Sequence, residues 1–150
     1  MDKLPALRVL SLGWGVQSWT LAAMMALDEL PRVDFLIHAD TRHERFETYA
    51  FVRRWSPWLG EHGLNVVQVT GRRTDVIQAW SNSKSVMIPA FTVDRVTRKR
   101  GMVLRQCTSE WKIKPIRRRI RDELRRRGVP VVPGVVESWK GITREEVERC

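Results

Sequence analysis

Three short segments of this chain carry the residue types from which a phosphate-handling site is built, and each follows or adjoins an apolar run. The first is Leu10-Ser11-Leu12-Gly13-Trp14-Gly15-Val16-Gln17-Ser18. Its two glycines let the backbone approach an anion. A helix beginning near Val16 would aim the free N–H groups of its first turn at the same point. The hydroxyls of Ser11 and Ser18 add donors, so amides and hydroxyls together can hold a pyrophosphate. It is not a Walker A loop, because the Gly-Lys-Ser/Thr ending is missing, and its glycine spacing is not the dinucleotide fingerprint.

The second segment is His38-Ala39-Asp40-Thr41-Arg42-His43-Glu44-Arg45-Phe46-Glu47-Thr48. Asp40, at the end of an apolar run, can take a ribose hydroxyl or a hydrated Mg²⁺. Thr41 can cap the following turn. His38 and His43 invite a metal reading, but a strand-end histidine is more often structural, and no metal ligand is assigned. The third segment is Arg105-Gln106-Cys107-Thr108-Ser109-Glu110-Trp111-Lys112-Ile113-Lys114-Pro115. Arg105, Lys112 and Lys114 are cations beside a predicted helix start, suited to holding a phosphate or a leaving group. Cys107 among these cations is a candidate nucleophile with a lowered pKa, against the simpler reading of an incidental thiol.

Elements that alternate between strand and helix must position these segments. Leu7 to Leu12, Val33 to His38, Leu64 to Val69 and Val135 to Trp139 read as strands. Val16 to Leu30 is rich in Leu, Ala and Met and reads as a helix apolar on nearly every side, stopped by Pro31. Tyr49, Val52, Trp55 and Leu59 recur at helical spacing over Glu44 to Leu59, with Pro57 expected to kink or end that helix. Thr74 to Trp80 suggests a short capped helix, and Ser81 to Arg105 an irregular excursion of the kind that is usually functional. Over Pro115 to Arg127, Ile116, Ile120 and Leu124 line one face and arginines cover the others. Pro115 suits the first turn and Gly128 the stop. This order calls for a parallel sheet joined by helical crossovers, with ligands beyond the C-terminal strand ends.

The chain has 150 residues, enough for one domain over residues 1–150 with a real core. Its 43% apolar and 29% charged residues exclude a disordered composition. No stretch approaches the roughly 20 apolar residues of a membrane span, and the N-terminus lacks the apolar region of a signal peptide. Two cysteines, Cys107 and Cys150, cannot make a disulfide framework, so a reducing cytoplasm is the expected location. Lys plus Arg number 27 against 17 Asp plus Glu, a formal charge of +10. Such a field favours a polyanion, either nucleic acid (tRNA or DNA) or a charged nucleotide. A capping-box pattern, Thr143 followed by Glu146, suggests a helix cut short at the end of the chain.

Taken together, the segments resemble the phosphoadenosine phosphosulfate reductase-like branch of the PP-loop proteins, within the adenine nucleotide alpha-hydrolase superfamily. Gly13-Trp14-Gly15-Val16-Gln17-Ser18 occupies the place of the family's SGGxDS loop. His38-Ala39-Asp40-Thr41 with Glu44 and Glu47-Thr48 is similar to its D-T-G-x-E-x-P-E-T segment, and Arg105-Gln106-Cys107-Thr108 with Lys112 to Pro115 to its R-x-C-T…K-x-x-P segment. Trp139-Lys140-Gly141-Ile142 with Glu145-Glu146 looks like the following strand and turn. Trp14 stands in place of a glycine, Gln17 of an aspartate, Arg42 of a glycine and Phe46 of a proline.

The resemblance implies a Rossmann-like three-layer α/β/α sandwich with a mostly parallel sheet. It also implies an adenosine nucleotide at the strand ends: ATP, or another such as phosphoadenosine phosphosulfate. The nucleotide-binding set would be Ser11, Gly13, Trp14, Gly15, Val16, Gln17, Ser18, His38, Ala39, Asp40 and Thr41, and the catalytic set Ser18, Arg105, Cys107 and Lys112. The expected reaction is cleavage of ATP to AMP and pyrophosphate, with Mg²⁺, to adenylylate an acceptor in nucleic-acid modification or sulfur transfer. The alternatives are a sulfonucleotide reductase, whose tail cysteine motif is not visible here, and a binding module that has lost catalysis.

Overall fold

The computed structural model describes residues 4–71, 91–102 and 108–142. The first half alternates strand and helix: β1 (Leu7–Ser11), α1 (Val16–Ala26), β2 (Phe35–Asp40), α2 (Phe46–Glu61) and β3 (Val66–Thr70). A hairpin of β4 (Phe91–Val93) and β5 (Arg100–Met102) comes next. It is followed by a π-helical turn over Thr108–Ile113, α3 (Lys114–Arg126) and β6 (Val136–Lys140).

β1, β2, β3 and β6 form one all-parallel sheet in the order β3-β2-β1-β6. The chain winds outward from β1 through β2 to β3, then returns to the other side of β1. Strand order therefore reverses between β1 and β6, whose last residues, Ser11 and Lys140, are register partners.

Both faces of the sheet are apolar, as buried parallel strands require. Leu10, Leu12 and Leu36 pack with Ala22 and Met25 of α1 and Leu59 of α2. On the opposite face Leu7, Val9, Phe35 and Ile37 pack with Leu124 of α3. Leu7, Leu10, Leu36 and Leu59 are fully shielded from solvent, each contributing about 2 kcal/mol by the usual transfer scale. No helix among the described residues is long and apolar enough to cross a membrane.

Several boundaries depart from the sequence expectation. α1 stops at Ala26 rather than Leu30, because Asp28 turns to φ +59° and the amides of Glu29 and Leu30 fold back onto the Met24 carbonyl. Pro57 neither ends nor replaces a turn of α2, which runs on to Glu61. Buried Leu59 and the ring contacts of Trp58 with Trp19 and Trp55 hold the last turn against the cost of the missing N–H. Within the expected irregular excursion, Phe91–Val93 and Arg100–Met102 pair as antiparallel strands. Their loop is closed by Asp94, whose carboxylate accepts the amides of Val96 and Thr97. The remainder of that excursion, and the helix expected at Thr74 to Trp80, lie outside the described residues.

Candidate functional site

The C-terminal ends of β1, β2, β3 and β6 all lie at the same end of the parallel sheet. The first runs from Leu12 into α1, whose N-cap is Gly15. Gly13, Gly15, Val16 and Gln17 are exposed there, Val16 to 80%. Among the described residues the amides of Gly15, Val16, Gln17 and Ser18 have no acceptor; the first helical bond runs from the Trp19 amide to the Gly15 carbonyl. This row of amides at a helix N-terminus is what binds anions elsewhere.

Ser18 does not face outward. It is buried, its Oγ accepts the Gly13 amide at 3.2 Å, and its hydroxyl donates to the Gly15 carbonyl at 3.2 Å. It staples the loop shut on itself. Trp14 takes the left-handed conformation at φ +59°, a region that favours glycine, and its indole is buried against Trp19, Phe51 and His38. Its Nε1 is buried with no hydrogen-bond partner among the described residues. The tryptophan thus anchors the loop to the core from the one position that a glycine would have left free.

His38 lies beneath this loop. It is buried, and its Nδ1–H donates to the Leu12 carbonyl at 3.1 Å, which sets the tautomer because a carbonyl only accepts. Burial lowers its pKa, opposed by that hydrogen bond and by the charges of Asp40 and Glu44, with Lys112 adding to the lowering. The neutral ring props up the loop. Ala39 and Thr41 are also buried, so these three expected ligand contacts act through position.

Asp40 ends β2. Its Oδ1 accepts the Arg42 amide at 2.8 Å and the Tyr49 hydroxyl at 2.9 Å, while Oδ2 accepts the Gln68 side-chain amide at 3.1 Å. The tight turn puts Arg42 at φ +61°. Thr41 donates to Glu44 at 3.0 Å, and Glu44 pairs with Lys112 at 3.3 Å. The His43 ring lies 5.5 Å from that of buried Trp111. The π-helical turn is thereby seated on the loop after β2, which brings Lys112 to the strand ends as the third segment requires. Arg105 and Cys107 lie outside the described residues.

Two glycines missing from the expected site bring the segments together. A Cβ on Gly141 would fall 2.6 Å from the backbone carbon of Gln17 and 2.8 Å from Ser18 Cα, so the turn after β6 can rest on the α1 N-terminus only with no side chain there. A Cβ on Gly71 would meet the Glu110 carbonyl oxygen at 2.9 Å and Trp111 Cα at 3.1 Å. The signal for both was a glycine directly after a strand, which the sequence displays.

Among the described residues no three His, Cys, Asp or Glu side chains converge as a metal cage. What the arrangement offers is the exposed backbone amides of Gly15, Val16 and Gln17, a fixed carboxylate and a cation at one end of a parallel sheet. No protein-family model, curated protein or solved structure matches this chain.

Proposed function

We propose that the chain binds an adenosine nucleotide across the carboxyl ends of β1, β2 and β6, with its phosphates on the amides of Gly15 to Gln17. The carrying observation is that these unpartnered amides stand where the strand order reverses, the place at which open α/β sheets take their ligands. The resemblance to the PP-loop proteins supports the same reading, and with it a Rossmann-like α/β/α sandwich of the adenine nucleotide alpha-hydrolase kind. Asp40 then lies on the ribose side, held rigid by Tyr49 and Gln68.

The reaction proposed is attack of an acceptor oxygen on the α-phosphorus of ATP. The acceptor O–P bond forms, the bridging bond to the β-phosphate breaks, and pyrophosphate leaves with that electron pair. AMP is then released when a second nucleophile, water or a sulfur or nitrogen donor, displaces it from the adenylylated acceptor by taking over the acceptor's bond to that oxygen. Loop amides and Lys112 would meet the charge that builds on the phosphoryl oxygens, an electrostatic task. The chain's charge of +10 favours a nucleic-acid acceptor such as tRNA or DNA.

A second reading, a nucleotide-binding module without turnover, is favoured by two features. Gln17 offers no carboxylate, and the Ser18 hydroxyl is committed to the loop. The sulfonucleotide-reductase alternative rests on cysteines outside the described residues. Incubation of the purified protein with Mg-ATP, with and without tRNA or DNA, separates these. AMP and pyrophosphate formed only with nucleic acid support the first reading. Tight ATP binding without products supports the second, and sulfite release from phosphoadenosine phosphosulfate the reductase. Unaltered ATP affinity in both Ser18→Ala and Asp40→Asn would refute the site itself.

A further inference from the structure

On the sheet face opposite α1 and α2, α3 packs mainly over β2 and β3, and among the described residues no helix packs as closely over β6. An open groove of about 840 Å³ runs there between α3 and the segment leading into β6. Its more buried lining is aliphatic: Ile120 and Leu124 from α3, with Val135 and Val136 opposite. Val131 and Val132 flank it at 55% and 52% exposure. The exposed lining is basic, formed by Lys114, Arg117, Arg118 and Arg121.

The charge on this rim is compensated only in part: Lys114 pairs with Glu110. Glu123 gathers Arg119, Arg126 and Arg127 to the other side of α3, and Asp122 pairs with Arg125 at 3.4 Å and with Arg118 at 4.0 Å. Among the described residues Arg117 and Arg121 pair with no carboxylate. The groove therefore presents an aliphatic floor beneath a positive rim.

We propose that this groove docks an amphipathic helix of a partner protein. Apolar residues at i, i+3 or i+4, and i+7 would fill the floor, and Asp or Glu beside them would meet Arg117 and Arg121. Nucleic acid fits less well. Single strands bind on aromatic platforms, and no described residue of the groove lining is aromatic, whereas Trp14, Trp19, Phe51, Trp55 and Trp58 all lie on the opposite side of the sheet. A duplex bound through its phosphates has no use for an aliphatic floor. The inference is independent of the nucleotide proposed at the strand ends.

The test is selection of a display library of 16-residue peptides on the full chain, followed by anisotropy titration of the enriched peptides. The expected result is enrichment of acidic sequences with apolar residues at helical spacing. Their affinity should fall tenfold or more in Arg117→Glu/Arg121→Glu, and separately in Val131→Asp/Val132→Asp. The two valines are half exposed, so that variant should keep its circular dichroism spectrum, while Ser18→Ala should bind the peptides unchanged. The proposal is overturned if no such sequences are enriched, or if they bind both groove variants as well as the parent chain. It is also overturned if a dT20 oligonucleotide displaces them from the same residues, or if sedimentation shows a dimer of this chain that Val131→Asp/Val132→Asp dissolves.

Discussion

Gly141 lies so close to Ser18 that a single methyl group between them would stand 2.8 Å from Ser18 Cα. The end of β6 and the phosphate-loop candidate after β1 are thus one packed unit, though 123 positions separate them in the chain (141 minus 18). The contact lies at the reversal of strand order and sets where the α1 amides point.

Gly141→Ala is therefore expected to displace the α1 N-terminus. The overlap is with backbone, which cannot swing aside, so stability should fall by about 1–3 kcal/mol. On the proposed function, ATP affinity should fall at least tenfold as the amides lose their aim. Calorimetric titration and thermal melting measure both. An affinity unchanged within twofold would detach Gly141 from the site.

His38 predicts a pH dependence. Its folded-state pKa lies below the ordinary 6.5, chiefly through burial. The unfolded chain then binds more protons than the folded one as pH falls through 6.5, so stability declines over that window and levels off below the folded pKa. The decline should shrink in His38→Asn, whose amide can still donate to the Leu12 carbonyl. Melting temperatures of both proteins from pH 7.5 to 5 give the comparison, and parallel curves would exclude His38 as the group responsible.

Glu123 predicts a second loss of stability, at lower pH. It is 4% exposed, and the side chains of Arg126, Arg127 and Arg119 hold its carboxyl far below the usual carboxylate range. Arg127 in turn bonds Asp34 at 2.8 Å and the Ala6 carbonyl at 3.1 Å, so the cluster ties α3 to the strand edges. A depressed acid stabilises above its unfolded pKa, and that contribution is lost as pH falls below about 4.5. Glu123→Gln should cost about 2 kcal/mol at pH 7, less than the roughly 3–5 kcal/mol of a fully buried broken pair because its arginines stay partly solvated. Urea titrations at pH 7 and pH 3.5 should show that difference shrinking at the lower pH.

The order of the main elements was legible because buried parallel strands are short apolar runs and α3 shows an arginine-covered face opposite Ile116, Ile120 and Leu124. The turn chemistry was less so. Nothing in Thr108–Ile113 announces a π-helical turn; it depends on Trp111 finding a buried place against His43, a contact between residues 68 positions apart (111 minus 43). The hairpin of β4 and β5 was hidden because its strands have three residues each, too few for an alternation to register. At the site, the loop, Asp40 and Lys112 were readable as residue types. That Ser18 folds inward and that Tyr49 and Gln68 fix Asp40 are facts of packing that spacing does not encode.

Trp14 sets two effects against each other. Its left-handed backbone costs about 1–2 kcal/mol relative to glycine, while removing a buried indole costs about 3–5 kcal/mol. Packing wins, so Trp14→Gly should be destabilised by about 2 kcal/mol although it restores the glycine of the resembled loop. Denaturant unfolding measures this, and a variant more stable than the parent would mean that backbone strain dominates.

Lys112 separates binding from turnover. Its ion pair with Glu44 is half exposed, so removing it should change stability by no more than about 1 kcal/mol. On the proposed reaction its charge matters most as the α-phosphoryl group changes partners, when negative charge spreads over the equatorial oxygens. Lys112→Ala should then lower AMP formation about tenfold to a hundredfold, with ATP affinity altered much less, and Lys112→Arg should recover part of the rate. Single-turnover assays at saturating ATP measure this directly. A loss confined to affinity would make Lys112 a binding cation for the ground state, and an unchanged rate would place the reacting phosphate away from the π-helical turn.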